Sequence, residues 1–271
     1  MSRVAVGRDD NGAQVFLAYH DHGDGRPVLL VPGMPLGRDS WDRQARALRA
    51  AGHRVITYDR RGFGASSRAA GGYDFDTFAA DLNSLLEHLD LRDVVLAGFS
   101  TGTGDVTRYL GTFGSARIGR AVLVAALPPG LDPAELSVAE AAQAEAGEYR
   151  LRTFLDEALD ARRLGPQRVG PSDLEAAFAG ASAASPQAIE RVLALCLTDF
   201  RLDLPKIDVP TLVLHGAEDR VLPFAATAAR LPGLIRDMRL VAVAGGPHHL
   251  TWTFPEVVTP ALLDFAYPAR S

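Results

Sequence analysis

The chain is predicted to fold as a doubly wound α/β sheet, on two observations. Short runs rich in Val, Leu and Ile recur along its 271 residues, and helical stretches separate them. From the second run onward they are continuously apolar rather than alternating, the pattern of parallel strands covered on both faces. In such sheets ligands bind at the carboxyl ends of the strands.

The expected strands are "QVFLAYH" (14–20), "PVLLVPG" (27–33), "RVITYD" (54–59), "DVVLAGF" (93–99), "RAVLVAA" (120–126), "PTLVLHG" (210–216) and "RLVAVAG" (239–245). A first helix is expected over residues 39–52. Asp39 or Ser40 would cap it, Trp41, Ala45 and Leu48 would form its apolar stripe, and Gly52 would end it. A second runs through "DFDTFAADLNSLLEHLDL", where Phe75, Phe78, Leu82, Leu85, Leu86 and Leu89 fall on one face. "PEVVTPALLDFA" closes the chain as a third.

Alternation breaks between about residues 129 and 206, where Ala-rich, charge-dotted helical text such as "AELSVAEAAQAEAGEYRLRTFLDEALDARRL" replaces strands. The expected organisation is a core of residues 1–128 and 207–271 with a helical cap, 129–206, inserted over the strand ends. Phe154 and Phe178 are the few large apolar side chains in that insertion. No internal repeat is visible.

Bulk properties narrow the function. Net charge is −5 and the basic residues form no stripe, which argues against a nucleic-acid partner; Arg60 and Arg61 are dense only within a turn. Cys196 is the only cysteine, so no intrachain disulfide can form. "MSRVAVGRDD" lacks a signal-peptide core, and no window approaches a membrane span of about 18 apolar residues. The expectation is a cytoplasmic protein that meets a small-molecule substrate and neither membrane nor nucleic acid; self-association stays open.

Gly98-Phe99-Ser100-Thr101-Gly102 matches G-x-S-x-G directly after a predicted buried strand, the context that pattern requires. A serine on such a sharp turn needs neighbours without side chains, and the helix that follows offers free N–H groups and a favourable dipole. An oxyanion beside Ser100 could take a hydrogen bond from the Thr101 N–H. A serine hydroxyl needs a base. Of seven histidines, His20, His22, His53 and His88 precede the serine, and His215 ends a strand. His248 and His249 follow the last strand, so a base arriving after its acid fits the order Ser…Asp/Glu…His. His248 is favoured over His249. Asp219, four residues past His215, is the favoured acid over Glu218. A metal site from His20, His22, His248 and His249 lacks carboxylates at ligand spacing, so no metal is expected.

The stretches "VITYDRRGFGASS", "DVVLAGFSTGTGDVTRYLGTFGSARIGRAVLVAALPP", "LTDFRLDLPKIDVPTLVLHGAEDRVLP" and "GGPHHLTWTFPEVV" resemble the α/β-hydrolase superfamily. Within it they resemble the cofactor-free (non-haem) haloperoxidase, perhydrolase and esterase group. The resemblance covers most of residues 14–130 and 197–266. It implies an α/β-hydrolase fold of about eight strands. It also implies a triad of Ser100, His248 and Asp219, with no cofactor. The family's oxyanion loop usually reads His-Gly-x-Pro; in this chain it reads Pro32-Gly33-Met34-Pro35. The resemblance makes the Met34 N–H the second oxyanion donor. It also ties a proline at position 35 to the use of peroxide and short carboxylic acids. Pro35, Phe99, Leu127, Val221 and His249 are expected beside the substrate; at 249 the family commonly has glycine.

The leading expectation is a serine hydrolase of small carboxylic esters, with perhydrolysis where peroxide replaces water. Two others remain: a non-hydrolytic lyase or cyclase on the same scaffold, motivated by Pro32 and His249, and a ligand-binding receptor with little turnover.

Overall fold

The computed structural model describes residues 1–132, 134 and 151–266. Its strands are β1 (Ser2–Arg8), β2 (Gln14–His22), β3 (Pro27–Val31), β4 (Arg54–Tyr58), β5 (Val94–Phe99), β6 (Ile118–Val124), β7 (Thr211–Gly216) and β8 (Met238–Val243). They form one sheet in the order β1-β2-β4-β3-β5-β6-β7-β8. β1 pairs antiparallel with β2, and β2 with β4. Every other pairing is parallel.

Successive residues of the central strands enter two separate cores. Leu29, Val31, Val94 and Leu96 join one apolar cluster with residues of α2 (Phe75–His88) and α3 (Gly102–Phe113). Val28, Leu30, Val95 and Ala97 join another, with Leu48 of α1 (Asp42–Ala50) and Val258 and Leu262 of the last helix, Pro255–Ala266. Continuous apolarity is thus the consequence of cover on both faces.

β1 is the strand the sequence patterning overlooks. At this edge of the sheet only Val4 of "SRVAVGR" is buried, so no apolar run marks it. The first helix also begins differently from expectation. A 3₁₀ turn, Arg38–Trp41, precedes α1, and neither Asp39 nor Ser40 caps it. Trp41 and Leu48 are buried as expected, and Gly52 follows the helix at φ +86°. Asp74 caps α2, accepting the Thr77 N–H at 2.8 Å.

Between β6 and β7 the described residues form helices α4 (Leu151–Leu159), α5 (Ala161–Leu164), α6 (Pro171–Ser182) and α7 (Pro186–Ala194), with 3₁₀ turns and no strand. Pro171 and Pro186 open their helices, where a missing N–H costs nothing. Phe154, Leu155, Leu159, Ala177 and Ala181 pack with Leu36 into a small core of their own. Residues 135–150 of the predicted helical text lie outside the described residues. No helix among the described residues is long and apolar enough to cross a membrane.

β3 has β4 on one side and β5 on the other, so strand order reverses there. A crevice opens at such a point, outside the carboxyl ends of the strands. Met34 follows β3, and Ser100 follows β5.

Candidate active site

Ser100 occupies the turn between β5 and α3 at φ +53°, an uncommon conformation for a residue with a side chain. Three glycines make room for it. A Cβ on Gly98 would stand 2.5 Å from the Gly102 carbonyl oxygen, and one on Gly102 2.6 Å from that of Pro32. A Cβ on Gly33 would meet the Ser100 Cβ at 2.7 Å. The spacing of small residues around the serine therefore reflects close approach of the β3 and β5 ends.

The structure brings Ser100, His248 and Asp219 together. His248 Nε2 lies 2.9 Å from Ser100 Oγ, and its Nδ1 lies 2.8 Å from Asp219 Oδ2. The other carboxylate oxygen accepts the N–H groups of Val221 and Leu222 at 2.9 and 2.8 Å. All three side chains are buried. Burial by itself would raise the Asp219 carboxyl; the His248 charge and the hydrogen bonds of both neighbouring histidines outweigh it and hold it well below the usual carboxylate range. An ionised Asp219 facing Nδ1 favours the tautomer whose bare Nε2 can accept the serine proton. Glu218, the alternative acid, is exposed.

His215 has a place that the patterning missed. Its Nδ1 accepts the Ala126 N–H at 3.1 Å, so its proton resides on Nε2. That nitrogen donates to the Leu222 carbonyl at 2.8 Å and stands 3.2 Å from Asp219 Oδ2. The available signal was a histidine at the carboxyl end of a buried strand followed by Gly216. A Cβ at Gly216 would lie 2.2 Å from the Gly246 carbonyl oxygen, so this glycine lets the loop carrying His248 close on β7.

Met34 differs from expectation. Its N–H, predicted to face an oxyanion, donates to Thr101 Oγ1 at 2.8 Å. The same oxygen accepts from Arg60 Nη2 at 2.9 Å. Arg60, read from sequence only as charge in a turn, is buried over the rings of Phe63 and Phe78. Its Nη1 stands 3.5 Å from Asp105. Burial pushes the Asp105 carboxyl up to about 7 despite that cation.

A cavity of about 310 Å³ opens onto Ser100, bordered by Met34, Thr101, Phe154, Cys196 and Val221 among others, none of them charged. Of the residues expected beside a substrate, Val221 borders it, whereas Pro35, Phe99, Leu127 and His249 do not. Phe99 ends β5 and packs against Trp41 and both adjacent histidines. Leu127 is buried beside Gly104. Pro35 is buried and joined to Met34 by a cis peptide. The His249 ring lies between Phe99 and Trp252, with Nδ1 3.1 Å from Thr251 Oγ1. Burial, and then the neighbouring His248 charge, push it down to about 3, so it is neutral. A larger cleft of about 680 Å³, between residues 36–46 and α6, does not reach Ser100.

His20 and His22 sit on β2 with ring centroids 5.6 Å apart. Among the described residues no group of three or more His, Cys, Asp or Glu could hold a metal ion.

The sequence profile of the alpha/beta hydrolase fold matches residues 26–255. A Synechocystis protein, provisionally named a non-heme chloroperoxidase, is 45% identical over 98% of this chain and 99% of its own length. A bifunctional esterase/perhydrolase of Acinetobacter calcoaceticus is 30% identical, covering 94% of this chain and 96% of that one. Among solved structures, a bromoperoxidase from Bacillus anthracis superposes with a TM-score of 0.86 at 37% identity, covering 97% of this chain and 98% of that one. The eight-stranded sheet, its switch-point crevice and these matches agree: the chain belongs to the α/β-hydrolase fold family, as an enzyme of its non-heme haloperoxidase and esterase group.

Proposed function

We propose that the protein is a serine hydrolase of small, uncharged carboxylic esters, working through an acyl-enzyme on Ser100. One observation carries this reading: the unbroken hydrogen-bond chain from Ser100 Oγ through both nitrogens of His248 to Asp219. His248 Nε2 takes the hydroxyl proton as Oγ bonds to the ester carbonyl carbon. The tetrahedral intermediate collapses, the C–O bond to the alcohol breaks, and His248 returns the proton to the departing oxygen. Water, deprotonated by the same nitrogen, then attacks the acyl carbon and frees Ser100. Asp219 stays ionised throughout, orienting the ring and stabilising its charged form. Hydrogen peroxide in place of water would release a peracid from the same intermediate, in keeping with the esterase/perhydrolase name of one relative.

The uncharged lining of the cavity supports a neutral substrate, and its volume lies at the small end of ligand sites, which begin at about 300 Å³. The described helices of the 129–206 insertion act in this reading as a cap that closes the cavity opposite the strand ends. The lone cysteine fits the reducing cytoplasm as its place of work.

Hydrolysis of p-nitrophenyl acetate, measured for the wild type and for Ser100→Ala, tests the proposal. Turnover should disappear in the variant while its circular dichroism stays unchanged; equal turnover would remove Ser100 from the mechanism. A lyase or cyclase need not hydrolyse the ester.

A further inference from the structure

Thr101 Oγ1 receives two N–H groups, from Met34 and from Arg60. A hydroxyl oxygen has two lone pairs and one hydrogen. With both lone pairs occupied, this hydroxyl can bond further only by giving its hydrogen away, and no acceptor for it occurs among the described residues. Thr101 borders the cavity together with Ser100. Its own N–H also meets no protein acceptor among the described residues.

Arg60 makes the hydroxyl a better donor. Its guanidinium is almost fully buried, and its one ion-pair partner among the described residues, Asp105, stands 3.5 Å away with one carboxyl oxygen unbonded. Burial brings that carboxyl to about 7, so near neutral pH the guanidinium charge is only partly offset. A donor that polarises a hydroxyl from behind strengthens the bond the hydroxyl makes in front.

We propose that Thr101 alone supplies two donors to the substrate carbonyl oxygen, its backbone N–H and its side-chain hydroxyl, while Met34 and Arg60 stand behind that hydroxyl and aim it. This rests on the Ser100 reading and alters its oxyanion site. The Met34 N–H, which a loop of this kind would turn to the substrate, becomes a positioning group. Arg60, over 40 residues from Thr101 in sequence, becomes part of the same device. The bonds strengthen as the carbonyl oxygen gains charge, so they act on the transition state more than on the bound ester.

The test compares wild type, Thr101→Val, Thr101→Ala and Thr101→Ser. The readouts are p-nitrophenyl acetate turnover, phenylboronic acid inhibition, acetate inhibition and fluorophosphonate labelling. Removing an oxyanion donor lowers kcat about 100-fold in related chemistry. We expect a loss of that order in Thr101→Val and Thr101→Ala, with KM little changed. Inhibition by phenylboronic acid, which forms a tetrahedral adduct on an activated serine, should weaken in step, and acetate inhibition should stay put. Thr101→Ser should recover most of the loss. A structural role alone would not separate boronate from acetate. The alanine variant removes the hydroxyl without placing a second methyl beneath Arg60, so a folding defect confined to Thr101→Val leaves the answer readable. If kcat in both hydroxyl-free variants equals or exceeds wild type, the hydroxyl is idle or obstructs Met34, and the proposal is wrong. A wild type that takes no fluorophosphonate on Ser100 overturns the serine mechanism and this inference with it. Labelled wild type with unaffected variants overturns this inference alone.

Discussion

The two walls of the cavity are built by different means. One wall, the strand ends bearing Met34, Ser100 and Thr101, is held by backbone. Glycines 33, 98 and 102 leave gaps that a single carbon would overfill, and Arg60 and Met34 fix Thr101 from behind. The facing wall, with Phe154, Leu193, Cys196 and Leu197, is made of side chains on helical segments. Backbone contact tolerates almost no change, whereas a side-chain surface can be trimmed and still pack. In the proposed mechanism the first wall carries the chemistry and the second sets substrate choice.

The largest effect expected on the first wall is chemical. Ser100→Ala and His248→Ala should each lower kcat by about four orders of magnitude or more in stopped-assay ester hydrolysis. His249→Ala should not, because its ring faces Trp252 rather than the serine. The reverse ranking of the two histidines would break the geometry proposed for the base.

Next comes Gly102→Ala. Its new methyl would meet the Pro32 and Val31 carbonyl oxygens at 2.6 and 2.8 Å, neither of which can rotate away. We expect a stability loss of several kcal/mol, of the order seen for severe steric strain in a core. Urea unfolding gives the number, and a loss under about 1 kcal/mol would show that this wall yields more than its contacts imply.

A third effect depends on pH. His249 is held neutral in the folded chain, at about 3, against an ordinary histidine value of 6.5. Between those values the unfolded chain binds a proton that the folded chain does not, so stability falls as pH drops through this window. The slope rises to about 1.4 kcal/mol per pH unit and integrates to about 1.6 kcal/mol between pH 6.5 and 5. His249→Gln should remove that share of the acid sensitivity. Identical stability losses in variant and wild type between pH 7 and 5 would contradict a buried neutral His249.

The smallest effect belongs to the helical wall. Leu197→Ala enlarges the cavity without touching the strand ends. Relative kcat/KM for p-nitrophenyl hexanoate over acetate should rise about tenfold, the scale of a few methylenes in an apolar pocket. The Ser100 fluorophosphonate rate should change little. A collapse of activity towards both esters would mean that the two walls are not separable.

What could be read from sequence divides along the same line. β3 to β7 are legible because burial on both faces writes continuous apolar runs, and the serine turn because close approach demands glycine at fixed spacing; β8, at the far edge, keeps an apolar run although only Val243 of it is buried. The edge strand β1 leaves no such run: its apolar text is only Val4-Ala5-Val6, between Arg3 and Gly7. Ser100, His248 and Asp219 could be named from the order of the strand ends. Their hydrogen-bond partners could not, because those depend on distant pairings. Nothing local marks Met34 and Thr101, 67 positions apart, as a contact. Nor does the text around Arg60 distinguish a buried cation from a solvated one. Phe99, Leu127 and His249 adjoin strand ends in sequence, yet side chains at such ends alternate in direction. Phe99 and His249 point into the packing behind the site.

The central claim is that His248 activates the Ser100 hydroxyl. Incubation with a fluorophosphonate followed by peptide mass spectrometry tests it without any assumption about the natural substrate. The account predicts a single adduct on Ser100 that is lost in His248→Ala and retained in His249→Ala. An adduct on another residue, or one that forms equally fast without His248, would contradict it.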